Sequence, residues 1–258
     1  MTGLNPDQVD ALVGRIEAAG HWPSGRRRAM ALYPAVLVVL AYLRHNLAQD
    51  VLGELFGCSQ ATVSRLIARL TPVIDDLLTA TAREVEAREL RSTMRVDGFL
   101  APTGNHRQDS KGMYSGKRHA AGFNVQVVGS WRGRLVMTGD PTPGATHDSK
   151  AWRDSGLADR FTGRLHADGG PGGYADLGYL GTGLLTPRRK PKGQPMTRSA
   201  KAFNRDVASQ RASVERVIAH LKNWRILATG YRRLLRDFTD TLTVVTKLEI
   251  YRTSIPIS

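Results

Sequence analysis

The hydrophobic period changes near residue 91, and this change constrains the fold more than any other feature of the 258-residue chain. Before it, apolar residues recur at steps of three and four, as on amphipathic helices. After it, residues 94–100, 122–128 and 134–138 alternate as half-buried strands do. The sequence therefore predicts an all-helical region, residues 1–90, followed by an α/β region with a mixed sheet, residues 91–258.

Residues 48–70 have the pattern of two short helices joined by a tight turn. Gly57 tolerates the left-handed backbone that ends many helices, and Ser59 is a favoured cap for the next helix. The second helix places its short polar groups and one arginine away from its apolar stripe, at Gln60, Ser64 and Arg65. This is the pattern of a helix-turn-helix whose second helix contacts DNA; a helical packing domain without DNA contact is the alternative.

Other local signals place the remaining elements. Asn5 is expected to cap a first helix, and residues 71–90 to form a separate connecting helix. The three strands have short links, with a turn at residues 129–133, which predicts an antiparallel meander. Downstream we expect a helix at residues 149–157, a strand near residues 173–176 and a closing helix that carries Glu215.

Positive charge is concentrated towards the C-terminal part of the chain. The formal net charge is +14, and residues 181–236 hold fourteen Lys or Arg against two acids. Such a concentration suits a polyanion, of which nucleic acid is the commonest, although a solvated basic face without a partner is also consistent with it. The candidate phosphate contacts are Arg188, Arg189, Lys190, Arg211 and Lys222, with Lys117 and Arg118 in the long polar loop of residues 101–121.

Several classes of protein are disfavoured by composition. Cys58 is the single cysteine, which argues against a disulfide framework and a cysteine zinc site and fits a reducing cytosol. The longest apolar run, residues 31–43, contains Pro34 and is shorter than the ~20 residues of a membrane span. We therefore expect a cytoplasmic protein without a membrane partner.

Three carboxylates on predicted rigid elements are candidate metal ligands. Asp97 lies in the first strand, Asp176 ends a later strand and Glu215 is on the closing helix. Hard oxygen ligands without a Cys or His cluster favour Mg²⁺ or Mn²⁺ over zinc, and two such ions support phosphodiester hydrolysis. Taken singly, Asp97 and Asp176 could cap turns, and Glu215 could pair with Arg211.

A series of motifs occurs in one order along the chain: Val96-Asp97-Gly98, Tyr114 to Lys117, Gly122 to Gln126, Gly144 to Asp148, Ala175 to Gly181, Phe203-Asn204, Arg211 to Leu227 and Tyr231 to Arg233. This series resembles the motifs of insertion-sequence transposases of the DDE superfamily, Harbinger-like group. The resemblance extends from about residue 49 to 251. A run of motifs in order is more specific than any one of them.

The resemblance implies an RNase H-like catalytic core in which Asp97, Asp176 and Glu215 bind the catalytic metals, two Mg²⁺ or Mn²⁺ ions. Asp168 is an alternative to Asp176, and Leu177 stands where the family usually has Lys. Asp148 is either the cap of the following helix or a further group near the metals.

The implied function is transposition in a prokaryotic, nucleoid-associated setting. The protein would bind the double-stranded ends of a mobile element as a homodimer or higher oligomer, hydrolyse a phosphodiester and transfer the freed strand to target DNA. Trp224 and Tyr231 could pack in the core or stack on bases. An inactive, domesticated transposase acting as a DNA-binding regulator, or a cellular Mg²⁺-dependent nuclease, are the alternatives.

Overall fold

The computed structural model describes residues 2–22, 30–104, 112–161 and 172–254. Contacts divide the chain into two compact units, Met1–Arg83 with Leu221–Ser258, and Glu84–His220. Residues 221–258 thus group with the N-terminal helices, whereas the sequence predicted a single domain boundary, at residue 90. None of the helices in the described ranges is long and apolar enough to cross a membrane.

The first unit is helical, as predicted. Asn5 caps its first helix in a capping box with Gln8, so two backbone N–H groups that lack helical partners are satisfied. Gly57 ends α3 with a φ of 64°, in the left-handed conformation that its lack of a Cβ permits. The helices are α1 (Pro6–Ala18), α2 (Leu32–His45), α3 (Gln49–Phe56), α4 (Gln60–Glu89) and α8 (Phe238–Ser254).

Helix α4 differs from the prediction of two helices in residues 60–90. It is one helix of 30 residues with Pro72 inside it. Proline removes one backbone hydrogen bond, but Leu70, Ile74 and Leu78 are all fully buried on both sides of it. Burial of this continuous apolar stripe outweighs the local cost of the proline.

The second unit contains the predicted meander. Strand β1 (Met94–Pro102) pairs antiparallel with β3 (Ala120–Gly129), and β3 pairs antiparallel with β4 (Leu135–Thr138). The short strands β2 (Tyr114–Ser115) and β5 (Thr142–Pro143) also pair with β3. On its other side β1 pairs in parallel with β6 (Gly173–Tyr174), so the sheet is mixed.

Helices flank this sheet. They are α5 (Asp148–Asp154), α6 (Leu157–Phe161) and the long α7 (Arg198–Lys222), with a 3₁₀ turn at Leu177–Tyr179. Trp152 of α5 and Tyr179 of the 3₁₀ turn are buried against β1 residues in one apolar core. The predicted strand at residues 173–176 is shorter than expected, because Asp176 caps the 3₁₀ turn.

Candidate active site

Helix α7 is fastened to the sheet next to Asp97. Arg95 lies two residues before Asp97 on β1 and donates to the backbone oxygen of Gln210 at 2.9 Å and to its Oε1 at 2.6 Å. The helix also approaches β3 closely, because a Cβ at Gly129 would lie 2.9 Å from Val217 Cγ2. The residue after Gln210 is thereby brought to Asp97.

That residue, Arg211, forms an ion pair with Asp97. Its Nη2 lies 2.9 Å from Asp97 Oδ2, and each side chain is only 19% exposed. The other oxygen, Oδ1, accepts from the backbone N–H of Gly98 at 2.8 Å. Burial raises the pKa of Asp97, and the attraction of Arg211 and the bond from Gly98 offset that rise only in part. Arg211, expected to contact DNA, contacts a carboxylate in this structure.

Asp176 and Asp148 approach each other over a glycine. Asp176 Oδ1 accepts from the backbone N–H of Gly178 at 2.7 Å. A Cβ at Gly178 would lie 2.9 Å from Asp176 Oδ1 and 3.0 Å from Asp148 Oδ2. The two carboxylates therefore converge on a space that a larger residue would fill.

Asp148 is not the cap of the following helix. The cap of α5 is His147, whose side chain accepts from the backbone N–H of Ser149, and Asp148 is the first helical residue. Its carboxylate accepts from Asn124 Nδ2 at 3.2 Å and lies 3.4 Å from Lys117 Nζ. The alternative of a group near the other carboxylates is the one that the geometry favours.

Asp97, Asp148 and Asp176 all act on one buried hydroxyl, that of Tyr179. This side chain is fully buried, and its Oη donates to Gln126 Oε1 at 2.7 Å. Burial raises the pKa of Tyr179 well above its ordinary value, and the negative charges of the three aspartates raise it further. The phenol therefore stays protonated.

Glu215 lies on the same helix as Arg211, one turn further on, and is exposed. Helical residues four apart have Cβ atoms about 5–6 Å apart, so Glu215 is a neighbour of the Arg211–Asp97 pair. The structure thus brings Asp97 close enough to Asp176 for the charge of Asp176 to raise the pKa of Asp97, and it places Glu215 beside the residue that contacts Asp97. No ion pair of Glu215 occurs within the part of the chain that the structure describes.

Carboxylate oxygens are the ligands that hard divalent cations prefer, but these carboxylates do not lie within coordinating distance of one common ion. In residues 2–22, 30–104, 112–161 and 172–254, no group of three or more His, Cys, Asp or Glu side chains could hold a metal ion. The three aspartates supply hard oxygen ligands, and Arg211 supplies a positive charge at Asp97. The residues fit a metal in kind: Asp148 and Asp176 converge on one space over Gly178, whereas Asp97 is paired with the guanidinium of Arg211.

A cleft of about 250 Å³ opens next to these carboxylates. Its lining includes two of the acids together with basic and polar side chains from β3 and from the 115–118 and 144–148 segments: Asp148, Asp176, Lys117, Arg118, Asn124 and His147. Lys117 and Arg118 are exposed, as a contact to DNA phosphate requires. A cleft with cations at its entrance and acids inside suits a phosphodiester.

The other predicted DNA contacts lie on the surface. Exposed residues are Gln60, Ser64 and Arg65 on α4, the segment Arg188, Arg189 and Lys190, and Lys222. Gln60 Nε2 donates to Gln49 Oε1 at 2.7 Å, across the helix-turn-helix turn.

Trp224 and Tyr231 are fully buried, so the prediction of a core role is confirmed and that of base stacking is wrong. Asp168, the alternative to Asp176, lies outside the described residues.

Two sequence profiles match the chain. The one described as DDE superfamily endonuclease covers residues 96–248, and the helix-turn-helix of DDE superfamily endonuclease covers residues 35–80. The chain belongs to the DDE endonuclease superfamily. The predicted family and its RNase H-like core preceded by a helix-turn-helix region are thus confirmed.

Relatives in this superfamily are bacterial and animal. A candidate transposase for insertion sequence element IS112 from Streptomyces albus G is 35% identical over 88% of this chain and 83% of its own length. One for insertion sequence element IS702 from Microchaete diplosiphon is 25% identical over 83% and 78%. The candidate nuclease HARBI1 of Rattus norvegicus is 24% identical over 86% and 66%. No solved structure gave a significant match.

Membership in the DDE superfamily bears on how the four carboxylates are interpreted. Endonucleases of this superfamily generally use divalent metals. Asp97, Asp176, Glu215 and Asp148 all lie inside the matched residues 96–248. Asp148 was the least certain of these from sequence, because a carboxylate at the start of a helix is usually explained by capping.

Proposed function

We propose that this DDE superfamily member is a transposase that binds the double-stranded ends of a mobile element, hydrolyses a phosphodiester there and joins the freed strand to target DNA. The observation that carries the proposal is the approach of Asp148 and Asp176 to one space over Gly178, together with the Arg211–Asp97 ion pair one helical turn from Glu215. The similarity to insertion-sequence transposases supports the substrate class.

We assign Asp97, Asp176 and Glu215 as the ligands of two Mg²⁺ or Mn²⁺ ions, with Asp148 as a fourth carboxylate of the cleft. When bound, such ions acidify a water molecule and neutralise charge on the attacking and leaving oxygens. Asp97 and Asp176 are carried by the sheet and its 3₁₀ turn, and Glu215 by α7. These rigid elements hold the acids in place while the strand lies in the cleft.

The remaining roles follow from charge and position. Lys117 and Arg118, at the cleft, hold the phosphates that flank the scissile bond. Water attacks the phosphorus in line with the departing oxygen and leaves a free 3′-hydroxyl, which then attacks a phosphodiester of the target by the same displacement. No covalent bond to the protein is needed.

Gln60, Ser64 and Arg65 of the helix-turn-helix read the element ends, with residues 1–90 as the DNA-binding domain and residues 91–258 as the catalytic domain. The exposed cations Arg188, Arg189, Lys190 and Lys222 add contacts to phosphate. A transposase that joins two ends to one target acts as a homodimer or larger oligomer on DNA.

The test is cleavage of labelled duplexes in Mg²⁺ or Mn²⁺, with and without the terminal inverted repeats that a search of the DNA flanking the gene is to identify. We expect cutting at the repeat ends and a loss of at least about 100-fold in Asp97→Ala, Asp176→Ala and Glu215→Ala with DNA binding retained. Asp206→Ala is the matched control, because Asp206 is an exposed acid on the same helix as Glu215.

Two other outcomes would replace the proposal. Sequence-specific binding without cutting in either metal identifies a DNA-binding regulator. Cutting that ignores the terminal repeats identifies a nuclease, the activity for which the relative HARBI1 is named.

A further inference from the structure

A chain of buried polar side chains ends at Asp148. Tyr179 Oη donates to Gln126 Oε1 at 2.7 Å, Gln126 Nε2 donates to Asn124 Oδ1 at 2.8 Å, and Asn124 Nδ2 donates to Asp148 Oδ1 at 3.2 Å. Gln126 and Tyr179 are fully buried, and Asn124 is 8% exposed. A buried polar network is costly unless all of its members are satisfied, and these are.

The direction of every bond in this chain is determined from the Asp148 end. Asn124 Nδ2 also donates to the backbone oxygen of Thr146 at 3.0 Å, and a backbone carbonyl can only accept. The amide oxygen of Asn124 must therefore face Gln126, and the amide nitrogen of Gln126 must donate to it. Gln126 then presents its own oxygen to Tyr179, and the protonated phenol is the donor that it requires.

A glycine makes room for the chain. A Cβ at Gly98 would lie 2.7 Å from Gln126 Nε2, 3.1 Å from Asn124 Oδ1 and 3.2 Å from Tyr179 Oη. Because Gly98 follows Asp97 directly, the three polar groups are packed against the backbone of a proposed metal ligand. The chain thus runs from the environment of Asp97 to Asp148, within one unit of the structure.

We propose that Tyr179, Gln126 and Asn124 are positioning residues that form a one-directional hydrogen-bond relay and fix the carboxylate of Asp148 in the cleft. The relay holds Oδ1. The other oxygen, Oδ2, lies 3.4 Å from Lys117 Nζ and borders the space over Gly178 that it shares with Asp176. This inference rests on the proposed function, since it assigns Asp148 to the same metal-dependent site.

The relay variants differ little in shape from the native side chains. In Gln126→Glu the ionised carboxylate can only accept, so Asn124 must turn its nitrogen towards residue 126 and its oxygen towards Asp148, which repels that carboxylate. Tyr179→Phe removes the terminal donor and is the second variant should Gln126→Glu fail to fold. Ser130→Ala is the control, because Ser130 is equally buried just beyond the same strand and outside the relay.

The experiment is a double-mutant cycle with Asp148→Ala, read by Mn²⁺ titration calorimetry and by kcat and KM for cleavage. In the native background, we expect each relay variant to weaken Mn²⁺ binding and lower kcat by about 10- to 100-fold, as loss of a partner that orients a ligand does. In the Asp148→Ala background, the same variants should change both quantities less than about twofold.

Equal losses in both backgrounds would overturn the relay, because they show an effect that does not pass through Asp148. Native Mn²⁺ affinity in both relay variants would also overturn it. The proposed function fails differently: the native protein itself then neither binds Mn²⁺ nor cuts DNA. Ser130→Ala separates a general loss of stability from loss of the relay.

Discussion

Arg211 Nη2 lies 2.9 Å from Asp97 Oδ2, so the proposed first metal ligand is neutralised by a side chain of the helix that carries Glu215. The pair is incompletely satisfied, since Arg211 Nε is buried without a hydrogen-bond partner in the described residues. Removal of Asp97 from water is only partly compensated by this partner, because burial still raises its pKa. The ion pair with Arg211 therefore compensates only part of the cost of burying the Asp97 carboxylate.

The first prediction is that Arg211→Met tightens Mn²⁺ binding. A metal ion and the guanidinium compete for the charge of Asp97, and an ion pair of this burial is worth about 1 kcal/mol, so we expect an affinity gain of about fivefold to tenfold. Titration calorimetry measures it. Arg205→Met, at an exposed position on the same helix, should bind as the native protein does. Unchanged or weaker binding in Arg211→Met would mean that the two cations do not compete.

The second prediction concerns the stability of the metal-free protein against pH. Asp97 has a higher pKa in the folded protein than its ordinary value of 3.8. The folded state therefore holds the proton more tightly, and stability is lost as the pH rises from 3.8 through the folded pKa. Since Asn does not ionise, Asp97→Asn should have a higher Tm than the native protein at pH 7 in EDTA.

Calorimetric scans between pH 4 and pH 7 check this. The advantage of Asp97→Asn should grow with pH and then level off once Asp97 is ionised in both states. A constant difference, or one that shrinks as the pH rises, contradicts the raised pKa. The result would make Asp97 a residue that costs stability and is retained for catalysis.

The third prediction is that Gly98→Ala destabilises the fold. The added Cβ would lie within 3.2 Å of three buried polar atoms, one of them at 2.7 Å, and overpacking of this kind costs about 1–3 kcal/mol. Urea denaturation measures the free energy of unfolding. Gly116→Ala is the control, because a Cβ there would meet nothing within 4 Å. A loss of the same size at both glycines would point to backbone entropy or conformation rather than to the crowding at Gly98.

The fourth prediction tests the helix-turn-helix. Arg65 is exposed near the start of α4, where the second helix of such a motif meets base edges. Arg65→Ala should weaken binding to terminal-repeat DNA by about 1–3 kcal/mol and to scrambled DNA by much less. Fluorescence anisotropy at one fixed salt concentration compares the two. Arg83→Ala, five turns further along α4, should leave the preference unchanged; equal loss on both duplexes would assign Arg65 to the backbone.

Local signals predicted much of the fold. Gly57 and Asn5 mark helix ends through backbone freedom and side-chain capping, and both act within a few residues. The alternation in residues 94–138 predicted the three antiparallel strands for the same reason. The single helix α4 was missed, because Pro72 is a strong local signal to stop, whereas the burial that overrides it depends on packing elsewhere in the unit.

The site was harder to predict than the fold. Motif order gave Asp97, Asp176 and Glu215, and the basic composition of residues 181–236 gave Arg211 as a contact to DNA phosphate. In the structure Arg211 pairs with Asp97, which is distant in sequence, and composition alone cannot show such a partner. For Asp148 the sequence allowed either a helix cap or a group near the metals, and in the structure the preceding His147 is the cap. Gln126 and Asn124 lie in a predicted strand, and the sequence does not indicate that they are linked by hydrogen bonds to Asp148. That contact depends on how β3 packs against α5, which is a tertiary interaction.

The first unit is assembled from both parts of the chain. Gln8 of α1 donates to the backbone oxygen of Arg252 at 3.0 Å, and the hydroxyl of Tyr251 donates to the backbone oxygen of Gln8 at 3.1 Å. During synthesis, α1 and α2 leave the ribosome long before α8 exists. Their final packing against α8 must wait until residues 84–220 have been translated. A nascent chain therefore cannot complete the first unit before residues 97, 176 and 215 have been made.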